Sequence, residues 1–257
     1  MIPVRAKKHL GQHFLCDMEV AGRIASSLPL DEQWRSVLEI GPGTGVLTRF
    51  LLQNPQINLT AVEIDKESIN FLRTHFPQLN LLEADFLKMD LNTFSNEKFS
   101  IIGNFPYNIS SQIFFKILEH REKVQSVVCM IQKEVAERMA AHAGNKTYGI
   151  LSVLMQAYYS IDYLFTVHEQ VFKPPPKVKS AVILLKRNET KTLGCDETLF
   201  KKIVKTAFNQ RRKQLRNSLK PLFGKENEIF DDEFFNKRPE QLSVQEFVSL
   251  TKLLGSY

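Results

Sequence analysis

The sequence predicts an α/β protein, a doubly wound sheet followed by a small all-helical domain. From Ser36 to about Lys186, short β-branched runs alternate with helical stretches, the pattern of strands joined by crossover helices. After Arg187 no strand pattern survives and the apolar spacing becomes helical. A glycine-rich turn separates the first strand of the alternation from its first helix, which in such folds faces a ligand.

SVLEI (36–40) forms the first strand, with a helix from about Val46 to Gln53. LTAVEID (59–65) is the second strand and SINFLRTHF (68–76) the second helix. LNLLEAD (79–85) and FSIIGN (99–104) are the third and fourth strands. In SSQIFFKILEH (110–120), Ile113, Phe114, Ile117 and Leu118 recur at helical spacing. VQSVVCMIQ (124–132) is a fifth strand, KEVAERMAAH (133–142) a helix, and a further helix follows Tyr148. YLFTVH (163–168) and SAVILLKR (180–187) complete the strands. Residues 1–187 are thus one domain, the polar stretch 188–196 a linker, and 197–257 a helical domain. Within the last, one basic helix spans about 201–220, and short helices follow around Asp232–Asn236 and Val244–Leu254. Ser243 and Glu246 have capping-box spacing at the last of these.

With 43% hydrophobic and 24% charged residues over 257 positions, the chain is neither disordered nor collagen-like. Cys16, Cys129 and Cys195 are scattered, so spacing supports neither a zinc site nor a disulfide framework. A reduced, cytoplasmic setting fits best. The N-terminus carries no apolar signal segment, and no apolar run approaches the ~18 residues of a membrane span. The net charge of +6 is unevenly spread: residues 173–220 carry a net +11, leaving −5 for the remainder. One region therefore suits a polyanionic partner.

Gly41-Pro42-Gly43-Thr44-Gly45 lets the backbone pass close to a ligand at a helix N-terminus. Glu63, near the end of the next strand, can accept hydrogen bonds from both ribose hydroxyls of an adenosine group. Asp85 ends the third strand, where its carboxylate can accept from an adenine amine. The pattern is GxGxG rather than GxGxxG, the commoner form where S-adenosylmethionine binds and no pyrophosphate needs a cradle; nicotinamide cofactors remain the alternative at this level.

Asn104-Phe105-Pro106-Tyr107 closes the fourth strand and reads as the [DNS]-P-P-[YF] type motif of amino-group methyltransferases. An exocyclic amine is a poor nucleophile because its lone pair is delocalised into the ring. The Asn104 side-chain oxygen and the Pro106 carbonyl can each accept an amine N–H, favouring the pyramidal nitrogen that attacks. Tyr107 can stack on the base and hold it flipped from its strand. Phe172, ahead of Pro174-Pro175-Pro176, is placed by a stiff loop to face the other side of the base. In the basic helix, Lys205, Arg211, Arg212, Lys213 and Arg216 are candidates for phosphate contact.

Taken together, KKHLGQHFL (7–15), EIGPGTGVLT (39–48), NFPYNISS (104–111), QKEVAERM (132–139), YGILSV (148–153), FKPPPKVKSAV (172–182) and AFNQRRKQLRNSL (207–219) resemble the ribosomal RNA adenine N6,N6-dimethyltransferase family, specifically the KsgA/RsmA group acting on small-subunit RNA. The resemblance implies a class I S-adenosylmethionine-dependent methyltransferase (Rossmann-like) domain with a C-terminal helical domain. It implies that positions matching His13, Leu15, Gly41, Gly43, Glu63, Asp85 and Asn104 bind the cofactor, beneath an N-terminal segment that folds over it. Asn104, Pro106 and Tyr107 then match the target-adenine site, and Phe172 a second stacking residue. The implied substrate is two adjacent adenines in the 3′-terminal hairpin of small-subunit rRNA, within an assembling 30S particle; a monomer with no membrane partner is expected. Two positions depart from the family pattern: His13 stands for the usual Asn, and Phe105 for the usual Leu. The competing readings are a large-subunit rRNA adenine methyltransferase of the resistance type, a non-catalytic assembly factor on the same scaffold, and an NAD-dependent dehydrogenase. AFNQRRKQLRNSL and PPPKVKSAV disfavour the first, the intact Asn104, Pro106 and Tyr107 the second, and the lack of hydride-transfer residues the third.

Overall fold

The computed structural model describes residues 4–29, 35–223 and 228–256. In chain order the elements are β1 (Phe14–Leu15), α1 (Met18–Ser26), β2 (Ser36–Ile40), α2 (Val46–Leu52), β3 (Asn58–Glu63), α3 (Lys66–His75), β4 (Asn80–Glu83), α4 (Leu91–Phe94), β5 (Phe99–Asn104), α5 (Ser110–Glu119), β6 (Val124–Gln132), α6 (Lys133–Ala140), α7 (Ile150–Gln156), β7 (Tyr159–Val167), β8 (Phe172–Lys173), β9 (Ser180–Arg187), α8 (Glu197–Asn209), α9 (Leu215–Phe223) and α10 (Val244–Gly255). Among the described residues, no helix is long and apolar enough to cross a membrane.

The described residues of Met1–Ala136 and Ser160–Arg187 form one compact unit, and those of Glu137–Tyr159 and Asn188–Tyr257 a second. In the first, seven strands take the order β4-β3-β2-β5-β6-β9-β7, and β1 pairs separately with β8. Strands β4, β3, β2, β5 and β6 run parallel, and β9 is antiparallel to β6. The near-continuous apolar runs of β5 and β6 are those of strands covered on both faces. Sequence order reverses between β2 and β5. Ligands of open α/β sheets bind at such a point, outside the C-terminal strand ends. Gly103, beside it, is sterically required: a Cβ there would lie 2.5 Å from the Ile40 carbonyl oxygen.

The second unit contains a segment that the sequence pattern assigns to the first domain. Within residues 137–159, α7 packs against α8 and α10. Tyr148 is buried and lies edge-on to Phe208, with ring centroids 6.1 Å apart, and Phe208 lies 5.9 Å from Phe247. The Gln156 amide donates to the carbonyls of Met139 and Ala141 at 2.7 and 2.8 Å. Periodicity identifies the helix of α7 but not the core its apolar face enters.

The basic helix expected over 201–220 is two helices. α8 ends at Asn209, and α9 begins at Leu215, whose backbone N–H donates to the Lys237 carbonyl at 2.9 Å instead of to its own helix. Lys205 and Arg216 therefore lie on different helices, and Arg211, Arg212 and Lys213 on the turn between them. At α10 the expected capping box is present: the Glu246 N–H donates to the Ser243 hydroxyl at 3.2 Å, and the Ser243 N–H to the Glu246 carboxylate at 2.8 Å.

Candidate active site

The C-terminal ends of β2, β3 and β5 and the segment 9–15 enclose a cavity of about 270 Å³ in the first unit. His13, Leu15, Gly41, Gly43, Glu63, Asp85, Asn104, Pro106 and Tyr107 all line it. Phe172 is not among its lining residues. Its ring is 2% exposed in the core with Leu15, Val167 and Val182, because the β1–β8 ribbon pairs Leu15 with Phe172 and turns both side chains inward. The structure thus places Phe172 in the core beside the cavity-lining Leu15 rather than on the cavity wall.

The glycine turn has positive φ at Gly41, Gly43 and Gly45 (63°, 57° and 75°), which side-chain-bearing residues rarely adopt. A Cβ on Gly41 would meet nothing within 4 Å, so ligand space begins at the backbone itself. Glu63 closes the turn from the next strand. Its Oε2 accepts the Gly43 N–H at 3.1 Å, and its Oε1 accepts from Ile64 and Asp65 at 2.8 and 2.9 Å. A carboxylate offers about four acceptor positions, so one remains on Oε2. Burial pushes the Glu63 carboxyl up, and the three amides pull against it. Asp85 caps the turn Phe86–Lys88, accepting the Leu87 N–H at 3.0 Å while lining the cavity.

Beneath the turn lies Glu39, 1% exposed and also lining the cavity. Burial raises its pKa to about 8, against a hydrogen bond donated by the Thr48 hydroxyl at 2.7 Å; the nearby Glu63 charge adds to the rise. Glu39 is thus a carboxylic acid at neutral pH. Its position before the glycines is visible in sequence; its burial is not.

At the reaction end, Asn104 donates from Nδ2 to the His13 carbonyl at 2.9 Å, which leaves Oδ1 as an acceptor. The Pro106 carbonyl accepts the Ile109 N–H at 3.2 Å and keeps a second lone pair. The Tyr107 hydroxyl shares a 2.5 Å hydrogen bond with that of Ser180, at the start of β9. Burial raises the Tyr107 pKa, opposed by that bond. Phe105 is wholly buried, edge-on to Phe114, so its replacement of Leu serves packing.

The segment 7–12 is tied down by residues outside the motifs. Lys7 is paired to Asp65 and lies 3.2 Å from Glu67, and the Gln12 amide donates to Asp65 at 3.3 Å. Asp65 also caps α3 and accepts from the Ser68 hydroxyl at 3.1 Å. Burial alone would raise the Asp65 carboxyl; the hydrogen bonds from Lys7, Gln12 and Ser68 outweigh it and hold it below its ordinary value. An acid two residues after the strand-end Glu63 is the sequence signal of this anchor.

The cationic candidates Lys205, Arg211, Arg212, Lys213 and Arg216 belong to the second unit. Arg212 and Lys213 are exposed. Arg211 is partly committed within the fold, 3.8 Å from Glu240 and 3.4 Å from the Asn145 carbonyl.

The family described as ribosomal RNA adenine dimethylase matches residues 4–255 of this chain. Ribosomal RNA small subunit methyltransferase A of Bacteroides thetaiotaomicron is 58% identical over 251 residues, covering 96% of this chain and 93% of its own. The protein of the same name from Cytophaga hutchinsonii is 57% identical and covers 99% of both chains. Among solved structures, a dimethyladenosine transferase from Plasmodium falciparum matches with a TM-score of 0.76 at 25% identity, over 95% of this chain and 98% of that one. A 23S rRNA methyltransferase, ErmE, matches with a TM-score of 0.68 at 26% identity, over 93% and 99%.

Proposed function

The chain belongs to the ribosomal RNA adenine dimethylase family, and from that premise we propose that it transfers methyl groups from S-adenosylmethionine to N6 of two adjacent adenines in the 3′-terminal hairpin of small-subunit rRNA. It is an S-adenosylmethionine-dependent rRNA adenine dimethyltransferase. Its substrate is the RNA of an assembling 30S particle, and it works as a cytoplasmic monomer. The observation that carries the reading is the shared cavity: the glycine turn, Glu63, Asp85, Asn104, Pro106 and Tyr107 line one space.

The residues present fit the cofactor. The Gly41 backbone is open to a ligand, and Glu63 retains an acceptor position for a ribose hydroxyl. Asp85 is the acceptor for the adenine amine. When bound, S-adenosylmethionine supplies an electrophilic methyl on a sulfonium sulfur. The chain's own residues prepare the nucleophile. Asn104 Oδ1 and the Pro106 carbonyl each accept one N–H of the target amine, which draws its lone pair out of the ring. Tyr107 holds the base by its face, a contact worth ~1–3 kcal/mol. Transfer would form the N–C bond as the methyl–sulfur bond breaks and its electron pair returns to sulfur as a neutral thioether; the nitrogen, then an acidic ammonium, releases its proton to water, so no side-chain base is needed. Alignment of amine and methyl accounts for most of the remaining acceleration. Arg212 and Lys213, with Lys205, Arg211 and Arg216, contribute phosphate contacts from the helical domain.

The test offers labelled S-adenosylmethionine with unmethylated small subunits and, separately, with large-subunit RNA. Labelled dimethyladenosine is expected on the small subunits. Label found only on large-subunit RNA would overturn the substrate assignment.

A further inference from the structure

α5 leaves the reaction end of the cavity shortly after Asn104-Phe105-Pro106-Tyr107. Its start is fixed there: the Ile109 N–H donates to the Pro106 carbonyl at 3.2 Å, and the Ser110 hydroxyl to the Tyr107 carbonyl at 3.3 Å. Ile113, Phe114, Ile117 and Leu118 bury one face of the helix, so the half-buried Lys116 has a rigid base. The Lys116 ammonium donates to the Leu87 carbonyl at 3.0 Å and to the Met89 carbonyl. Leu87 is also the residue whose N–H meets Asp85 Oδ1 at 3.0 Å. Asp85, Phe86 and Leu87 all line the cavity. A chain of contacts thus runs from the reaction motif through α5 and Lys116 to the Asp85 carboxylate.

The turn Phe86–Lys88 has little of its own to hold it. A single 3₁₀ turn has poor hydrogen-bond geometry, and the neighbouring Lys88 is exposed, with its ammonium 3.8 Å from Asp85 Oδ2. Two charge-assisted bonds from a core-packed helix are the stronger restraint. They fix Leu87, whose N–H occupies Asp85 Oδ1 and leaves Oδ2 with acceptor capacity. We propose that Lys116 is a positioning residue: through Leu87 it holds the Asp85 carboxylate as acceptor for the adenine 6-amino group, and so sets the preference for adenine over a purine without that amine. The proposal rests on the use of S-adenosylmethionine and on the role of Asp85 given above. Lys123 supplies a contrast. It donates to the Asn92 and Ser95 carbonyls at 2.9 and 2.5 Å, further along the same connection and beyond the Asp85 turn.

Intact unaltered, Lys116→Met, Lys123→Met and Asp85→Ala proteins, with the Asp85→Ala/Lys116→Met double variant, are titrated calorimetrically with two ligands. One is S-adenosylhomocysteine, the other its analogue with hydrogen in place of the 6-amino group. Lys116→Met keeps an unbranched stem and removes the donors. The unaltered enzyme is expected to prefer the amine about tenfold, the scale of one hydrogen bond to a charged acceptor. Lys116→Met should bring that preference to within about twofold by weakening S-adenosylhomocysteine alone, and Lys123→Met should leave it in place. Adding Lys116→Met to Asp85→Ala should cost less than about twofold more, because both act on one contact. Should Lys116→Met not fold, Lys116→Gln, which keeps an amide donor, is titrated instead and should lower the preference about threefold. Equal losses on both ligands in the Lys116 variant, or fully additive losses in the double variant, would overturn the proposal while leaving the cofactor reading intact. An unaltered enzyme that binds neither ligand would overturn the cofactor reading, and this proposal with it.

Discussion

Asn104 donates its side-chain N–H to the His13 main-chain carbonyl at 2.9 Å, joining the end of a central strand to a residue near the start of the chain. The bond decides which end of the amide faces the substrate. Asn104→Ala removes the Oδ1 acceptor, and kcat is expected to fall ~10²–10³-fold, the usual effect of losing one preorganised polar partner of a transition state. Cofactor affinity should persist in part. Single-turnover methyl transfer and calorimetric titration measure the two separately, and normal turnover would remove Asn104 from the proposed role.

Glu39 makes stability fall with rising pH. Its folded-state pKa of about 8 lies above the ordinary 4.5, so the folded chain holds a proton that the unfolded chain releases. Below about pH 4.5 both states are protonated and the group costs nothing. Between about 4.5 and 8 the cost grows, and above 8 it is constant. Glu39→Gln keeps the shape and an acceptor for Thr48 without the ionisation. The variant is expected to gain thermal stability, by a few kcal/mol at pH 8 and little at pH 5. Melting curves at the two pH values check this, and an equal shift at both would contradict it.

Asp65 anchors the segment that covers the cavity. Its lowered pKa contributes stability above the ordinary carboxylate range, lost as pH falls through the lowered value. Asn also caps helices well, so Asp65→Asn preserves the start of α3 while removing the ion pair to Lys7. Amides of residues 7–15 should then exchange roughly tenfold faster, equivalent to ~1.4 kcal/mol of lost protection, with the core strands unaffected. Hydrogen-exchange mass spectrometry reads both regions in one experiment.

Neutralising Arg212 and Lys213 should weaken RNA affinity and flatten its dependence on salt, by nearly one unit of slope for each lost phosphate contact. Neutralising Arg211 should do less, because its guanidinium is already near Glu240 and the Asn145 carbonyl. Binding isotherms across a salt series distinguish them. An unchanged slope for the first pair would assign them to solvent.

The strands over 36–40, 99–104, 124–132 and 180–187 are legible to the residue, since each is an apolar β-branched run bounded by polar or turn residues. β7 is less so. It begins at Tyr159, four residues before the expected start, because it is an edge strand and the polar Ser160 and Asp162 interrupt its apolar pattern. The cofactor-side residues are legible because glycines and strand-end acids sit at fixed positions along the chain. Three features are set by long-range partners and leave little local trace. Leu215 donates to Lys237 and splits the basic helix, Tyr148 chooses the core of the second unit, and Phe172 is turned inward by its pairing with Leu15. The Ser180 hydroxyl that fixes Tyr107 lies within a quoted motif, yet only the fold gives it a purpose.

The ribbon of Phe14–Leu15 with Phe172–Lys173 also sets when the pocket can exist. A ribosome building this chain at roughly 5–20 residues per second releases the glycine turn, both acids and the Asn-Phe-Pro-Tyr segment long before it reaches Phe172. During that interval the nascent polypeptide has most of the pocket's chemistry and nothing to hold Phe14 and Leu15 in register. Completion of the site is thus coupled to synthesis of the far end of its own sheet, and a fragment ending before Val171 would contain Glu63 and Asn104 with no paired roof above them.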